Sequence, residues 1–233
     1  MQPTHTAWLV FLIPLVAVHA SWLWSSLVGA IDGCLPYWSG CVSISRAARS
    51  SDALFLFRAA MLINATLLVI YWLQAGSFLS LRPLNKQLQI RWMQAVGISG
   101  ALFLTLYVDF LGTSGQVYQL LRQYGVTSYF SLTLLAQLLF LRQLLPLANE
   151  NHPAARWIRA KTWLCGWILA LGVASILGNA LLDGAAKDRW ENIIEWHFAL
   201  ALNTYFIFTA ILWQRMGYRS NPSKTGRNRT KQR

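Results

Sequence analysis

Four sets of residues in this chain have the types and placement to do chemistry. Cys34 and Cys41 flank Leu35-Pro36-Tyr37-Trp38-Ser39-Gly40, a stretch long enough to turn back and let the two thiols meet. Ser43 and Ser45 follow at once in Ser43-Ile44-Ser45-Arg46, and a serine there could serve as a nucleophile if a base stood beside it. Arg58 is lodged in an otherwise apolar run, where a guanidinium needs an anionic partner, either structural or bound. Glu195 and His197 sit near the start of another apolar run, and an acid and an imidazole together suit proton transfer or headgroup binding. Asp109 and Asp32 complete the ionisable residues that fall next to apolar segments at comparable positions.

The elements that must position these groups are membrane-spanning helices. Of 233 residues 55% are hydrophobic and only 12% charged, about half the charged share of a soluble domain, and 12 tryptophans fit helices that cross a headgroup region. Six apolar stretches reach the ~20 residues that a bilayer core demands. They run from about 7 to 31, 52 to 75, 92 to 112, 125 to 141, 162 to 182 and 193 to 213. The reading is therefore an all-α, polytopic membrane protein: a six-span domain over residues 1–213, then a basic, disordered cytoplasmic tail over 214–233. Val18-His19-Ala20 would pass as a signal-peptidase site, but no Lys or Arg precedes it, so the first stretch is read as an uncleaved span.

Charge sets the orientation. Fourteen of the 20 Lys and Arg residues fall on the side of the termini, five fall on the other side, and Arg58 lies within a span. The positive-inside rule then places both termini in the cytoplasm, and the membrane is expected to be the plasma membrane. The net charge of +12 belongs to this asymmetry and to the tail, which carries seven basic residues after Trp213, so no nucleic-acid partner is expected. Seven of the eight acidic residues then fall on the outer face, all but Glu150. Asn64-Ala65-Thr66 lies in a span and Asn228-Arg229-Thr230 in the tail, so neither is expected to be glycosylated.

That orientation gathers Arg58, Asp109, Glu195, His197 and Asp32 towards one outward-facing pocket. Arg58 has two readings. It forms an ion pair with Asp109 or Glu195, or snorkels outward, as a structural residue; alternatively it is the anion contact of a site shared with His197 and a carboxylate. At about 100° per residue, Glu195, Ala199 and Asn203 share one helix face while His197 lies almost opposite, which argues against a Glu195–His197 dyad in a regular helix. Asn203 and His19 read as interhelical hydrogen-bonding residues. The catalytic candidates are His197, Glu195 and Asp109, and no catalytic residue is assigned.

Cys34 and Cys41 are expected to form a disulfide in an oxidising outer compartment, against the alternative of two free thiols, with Cys165 a reduced packing residue. No serine-nucleophile motif surrounds Ser43 or Ser45, which suit turn and capping roles. Neither HxxxH nor HExxH occurs, so no metal is expected, and no cofactor motif is present.

Pro36-Tyr37-Trp38-Ser39, the Ser43-Ile44-Ser45 run, and Phe55-Leu56-Phe57 with Arg58 together form a pattern across the first 75 residues. With the six-span count, it resembles the membrane family of the damage-regulated autophagy modulators, the fibroblast-growth-factor-receptor-activating proteins and a GPI-anchor lipid-remodelling factor. The resemblance implies membrane and lipid biology. The expected function is therefore engagement of a lipid headgroup or lipid-linked anion, with membrane lipids and a possible membrane-protein partner. Two alternatives stand beside it: an intramembrane transferase or hydrolase using His197 and a carboxylate, and a structural subunit of a membrane complex.

Overall fold

The computed structural model describes residues 1–81, 87–148 and 154–219. Arg82, Lys86 and Glu150, which enter the charge count, and residues 220–233 of the basic tail lie outside the described residues. The described chain is helical throughout its regular elements: α1 (Pro3–Leu27), α2 (Pro36–Ser39), α3 (Ile44–Arg49), α4 (Ala53–Ser80), α5 (Gln87–Phe110), α6 (Gln116–Leu144), α7 (Ala155–Leu181) and α8 (Gly184–Arg215), with a 3-10 turn at Leu145–Ala148. Six of them, α1 and α4 to α8, are long and apolar enough to cross a membrane, which makes this a multi-pass membrane protein.

The helices overrun the apolar stretches that announce them. α6 starts nine residues before 125, α7 seven before 162 and α8 nine before 193. Hydropathy reports where lipid must be met, whereas a helix ends where its backbone is capped. α1 shows the reverse. It stops at Leu27 instead of 31, because Gly29 takes the left-handed conformation (φ 70°), and the Gly29 and Ala30 amides return to the Ser26 and Ser25 carbonyls.

Side by side, the long helices run α6, α5, α4, α1, α8, with α7 packed on the outside of α8. α7 is the least buried span, exposing Trp163, Ile176 and Leu181. Met1, Gln74 and Tyr218 meet at one end: the Gln74 amide donates to the Met1 carbonyl (3.3 Å) and the Tyr218 hydroxyl to the Gln74 carbonyl (3.0 Å). The folded part therefore runs past 213, since Tyr218 packs its ring on Trp213 and Phe78.

The other end is closed by the first loop. α2 packs on α8, and α3 packs on α1, α4 and α8, so the loop forms a lid. Ser43 caps α3 by accepting the Arg46 amide (3.2 Å). Cys34 and Cys41 are joined as a disulfide with Cα atoms 6.7 Å apart. Gly40 ends α2 at φ 61° and presses on the Arg189 carbonyl, leaving no room for a Cβ. Asn192 and Trp196 of α8 tie the lid down, donating to the Gly40 carbonyl (2.7 Å) and the Val42 carbonyl (2.9 Å). Ser25 of α1 donates to the Ala47 carbonyl (2.7 Å).

Candidate functional site

Beneath the lid lies a cavity of about 70 Å³, walled by α1, α4, α5, α6 and α8. On the same measure one water needs ~10–15 Å³, so the space exceeds a single trapped water. It follows α8 from Glu195 to Asn203, a rise of about 12 Å along the helix. Its polar groups gather near the lid: His19, Tyr37, Tyr107 and Glu195. Below them the walls are mainly apolar, with Phe57, Met61, Leu104 and Val126 among them. Asn203 lies at the far end, its amide committed to the Phe11 carbonyl (2.7 Å).

His19 is held by its own helix. Its Nδ1 lies 2.7 Å from the Leu15 carbonyl, one turn back, and a carbonyl can only accept, so Nδ1 carries the proton. The neutral ring then offers Nε2 as an acceptor, and the Tyr37 hydroxyl donates to it at 3.0 Å. The two rings stack with centroids 5.9 Å apart. Tyr37 also meets Trp196 and His197 edge-on, at 5.2 and 5.3 Å. Burial under the lid raises the Tyr37 phenol above its ordinary value of 10.0, so it stays a proton donor at neutral pH. Pro14 stands five residues before His19 on the same helix and also lines the cavity.

Glu195 is turned to the Ile44 and Ser45 backbone amides, the first two of α3. These are donors that no intrahelical carbonyl can satisfy, so the carboxyl group both faces the start of the lid helix and adds a polar group to the cavity. Tyr107 meets Ser45, hydroxyl to hydroxyl, at 2.7 Å. Ser43 is occupied as the cap of α3, so neither serine faces a histidine.

The remaining residues expected at this site lie off the cavity. The Arg58 Nη2 donates to the Leu111 carbonyl and to the Asp109 carbonyl (3.0 Å), where the last turn of α5 leaves acceptors free. Its partner from Asp109 is thus the backbone oxygen, and the exposed Asp109 side chain does not line the cavity. His197 projects from another face of α8, with Nδ1 bonded to the Ile193 carbonyl (2.9 Å), so the cavity's histidine is His19. Asp32 is exposed beyond the end of α1. Among the described residues, no three His, Cys, Asp or Glu side chains converge as a metal-ligand set.

Sequence reasoning read His19 as an interhelical hydrogen-bonding residue and passed over Tyr37 and Tyr107. The available signal was Tyr37 between the two cysteines, an aromatic residue in a short bridged loop, although its neighbour Trp38 is 81% exposed.

A second polar cluster lies in the half of the bundle away from the lid. Lys161 is fully buried, its Nζ 3.3 Å from the Tyr205 ring centre and 5.2 Å from that of Phe140. It donates to Thr209 Oγ1 and to the Tyr205 carbonyl (3.4 Å). Tyr71 also donates to Thr209 Oγ1 (3.0 Å), while the Tyr205 hydroxyl donates to the Gln137 carbonyl (2.8 Å). No cavity opens on Lys161 among the described residues.

Comparison of the chain with protein-family models, with curated proteins and with solved structures finds no match.

Proposed function

We propose that this protein holds a membrane lipid in the cavity beneath the first-loop lid, headgroup towards the lid and chain between the helices. The observation that carries this reading is the grading of the cavity, with hydrogen-bonding groups at the lid and an apolar body below. Small-molecule sites generally combine apolar walls with a few placed polar groups; at about 70 Å³ the closed cavity is smaller than the ~300–1,000 Å³ of such sites, so a lipid chain enters only as the walls part. The resemblance of the first 75 residues to the six-span lipid-remodelling and autophagy-modulator family points the same way. Arg58 stands as a helix-end residue in this proposal, so binding of an anion through Arg58 has no support in its contacts. The transferase reading has none from His197, which lies off the cavity.

We further propose a plasma-membrane location with both termini cytoplasmic. The charge asymmetry supports it, and setting aside the buried Lys161 still leaves 13 basic residues against five.

Ala199→Trp tests the lipid reading, because the new ring would occupy the cavity. Native mass spectrometry of the detergent-purified protein should find a retained lipid on the wild type and little or none on Ala199→Trp. A wild type free of bound lipid, or equal retention by both, would refute the reading.

A further inference from the structure

The polar end of the cavity has a chemistry more specific than "lipid headgroup". In the neutral ring, the bond from Nδ1 to the Leu15 carbonyl leaves His19 Nε2 as a hydrogen-bond acceptor. In the closed lid that acceptor is filled by the Tyr37 hydroxyl. Whatever takes the place of Tyr37 there must bring a proton. A hydroxyl does so, whereas an ionised phosphate or carboxylate offers only acceptors. Glu195 places a carboxyl group at the same end, and among the described residues no Lys or Arg lines the cavity to receive an anion. An anionic head placed here would be desolvated in an apolar surrounding with no cation to offset it.

The hydrogen bonds that tie the lid to α8 do not pass through Tyr37. Tyr37 sits within the ring closed by the Cys34–Cys41 bridge, while those ties are made by the Gly40 and Val42 carbonyls. Moving the Tyr37 side chain off His19 would break neither them nor the capping of α3 by Ser43, and would give up its edge-on contacts with Trp196 and His197.

We infer that the ligand is a long-chain lipid alcohol, with a hydrogen-bond-donating head and no phosphate or carboxylate. Its hydroxyl replaces that of Tyr37 on His19 Nε2, so the lid tyrosine is a built-in competitor for the site. This rests on the lipid reading above and narrows it to one headgroup class.

The test uses the full chain in phosphatidylcholine nanodiscs doped with one of two photoactivatable probes. One is a monoacylglycerol with a diazirine in its tail; the other is the lysophosphatidic acid with the same tail, so the two differ only in hydroxyl against phosphate. Crosslinks are mapped to peptides containing Met61, Leu104 and Val126. The monoacylglycerol should label these peptides at least several-fold more than the phosphate probe. Tyr37→Phe should raise monoacylglycerol labelling about two- to tenfold, the span of one net hydrogen bond. His19→Phe should lower it to the level of the phosphate probe. Equal or stronger labelling by the phosphate probe would overturn the inference and leave the lipid reading standing. So would Tyr37→Phe labelling at or below the wild-type level. If neither probe labels these peptides, the lipid reading fails and this inference with it. A monodisperse elution profile and an intact Cys34–Cys41 bridge show that each variant is folded.

Discussion

Arg58 illustrates how a costly residue can find partners without any opposite charge, through Nη2 alone, its Nε remaining buried without a hydrogen bond. The last carbonyls of a helix carry the negative end of its dipole, and a guanidinium laid across them gains charge-assisted hydrogen bonds. Arg58 does this for α5 through the Asp109 and Leu111 carbonyls. Arg58→Gln should therefore cost about 1.5–3 kcal/mol of stability, measured as a lower thermal unfolding midpoint in detergent, while probe labelling of the cavity stays within about twofold. A loss of labelling with unchanged stability would return Arg58 to the binding site. The need for a partner was legible in the sequence, because an arginine among apolar residues is rare in a span. The identity of that partner was not, since backbone oxygens at a helix end are invisible in a list of side chains. Lys161 was misread for a related reason. It lies just before an apolar stretch and counts as a loop charge there, yet α7 begins at Ala155 and carries it into the bundle against Tyr205 and Thr209.

At the scale of elements, the lid and α8 behave as one unit. α8 supplies Asn192 and Trp196 to the lid backbone and Glu195 to the start of α3. Sequence reasoning set the start of this helix at 193, nine residues late, so Asn192 falls outside the apolar stretch while Glu195 and Trp196 fall just within it. Periodicity did better: the face shared by Glu195, Ala199 and Asn203 is the face turned to the cavity. Gly40 is the most sensitive joint. A Cβ there would strike the Arg189 carbonyl, and its φ of 61° is itself unfavourable for any side chain. Gly40→Ala should loosen the lid and accelerate reduction of Cys34–Cys41 by dithiothreitol, followed by thiol alkylation, with α1 and α4 to α8 still folded by circular dichroism. An unchanged reduction rate would mean that the lid does not depend on this contact.

For the whole molecule, the count of six spans and the shared location of the two chain ends were readable because lipid imposes a minimum apolar length on every crossing. The order of helices around the cavity was not readable. Helices in a bilayer are apolar on most faces, so periodicity says little about which neighbour each one meets. α7 is the clear case: its apolar run is stronger than that of every span but α4, yet it stays on the outside. The proposed orientation makes a separate prediction. A cysteine introduced as Ser223→Cys should resist a membrane-impermeant maleimide on intact cells and react after permeabilisation; labelling of intact cells would invert the protein.

Pro14 gives the cavity one compliant wall. Proline has no N–H to offer the Val10 carbonyl, so the hydrogen-bond ladder of α1 lacks a rung one turn below His19. Bending α1 at that point breaks no backbone bond, whereas α4, α5, α6 and α8 carry no proline within their helical spans. The segment above the gap carries His19, Ser25 and hence much of the lid's anchorage. A bend of α1 is therefore cheapest near the middle of the bundle, and it would shift His19 relative to a lid that α8 holds in place, widening the chamber for an entering chain.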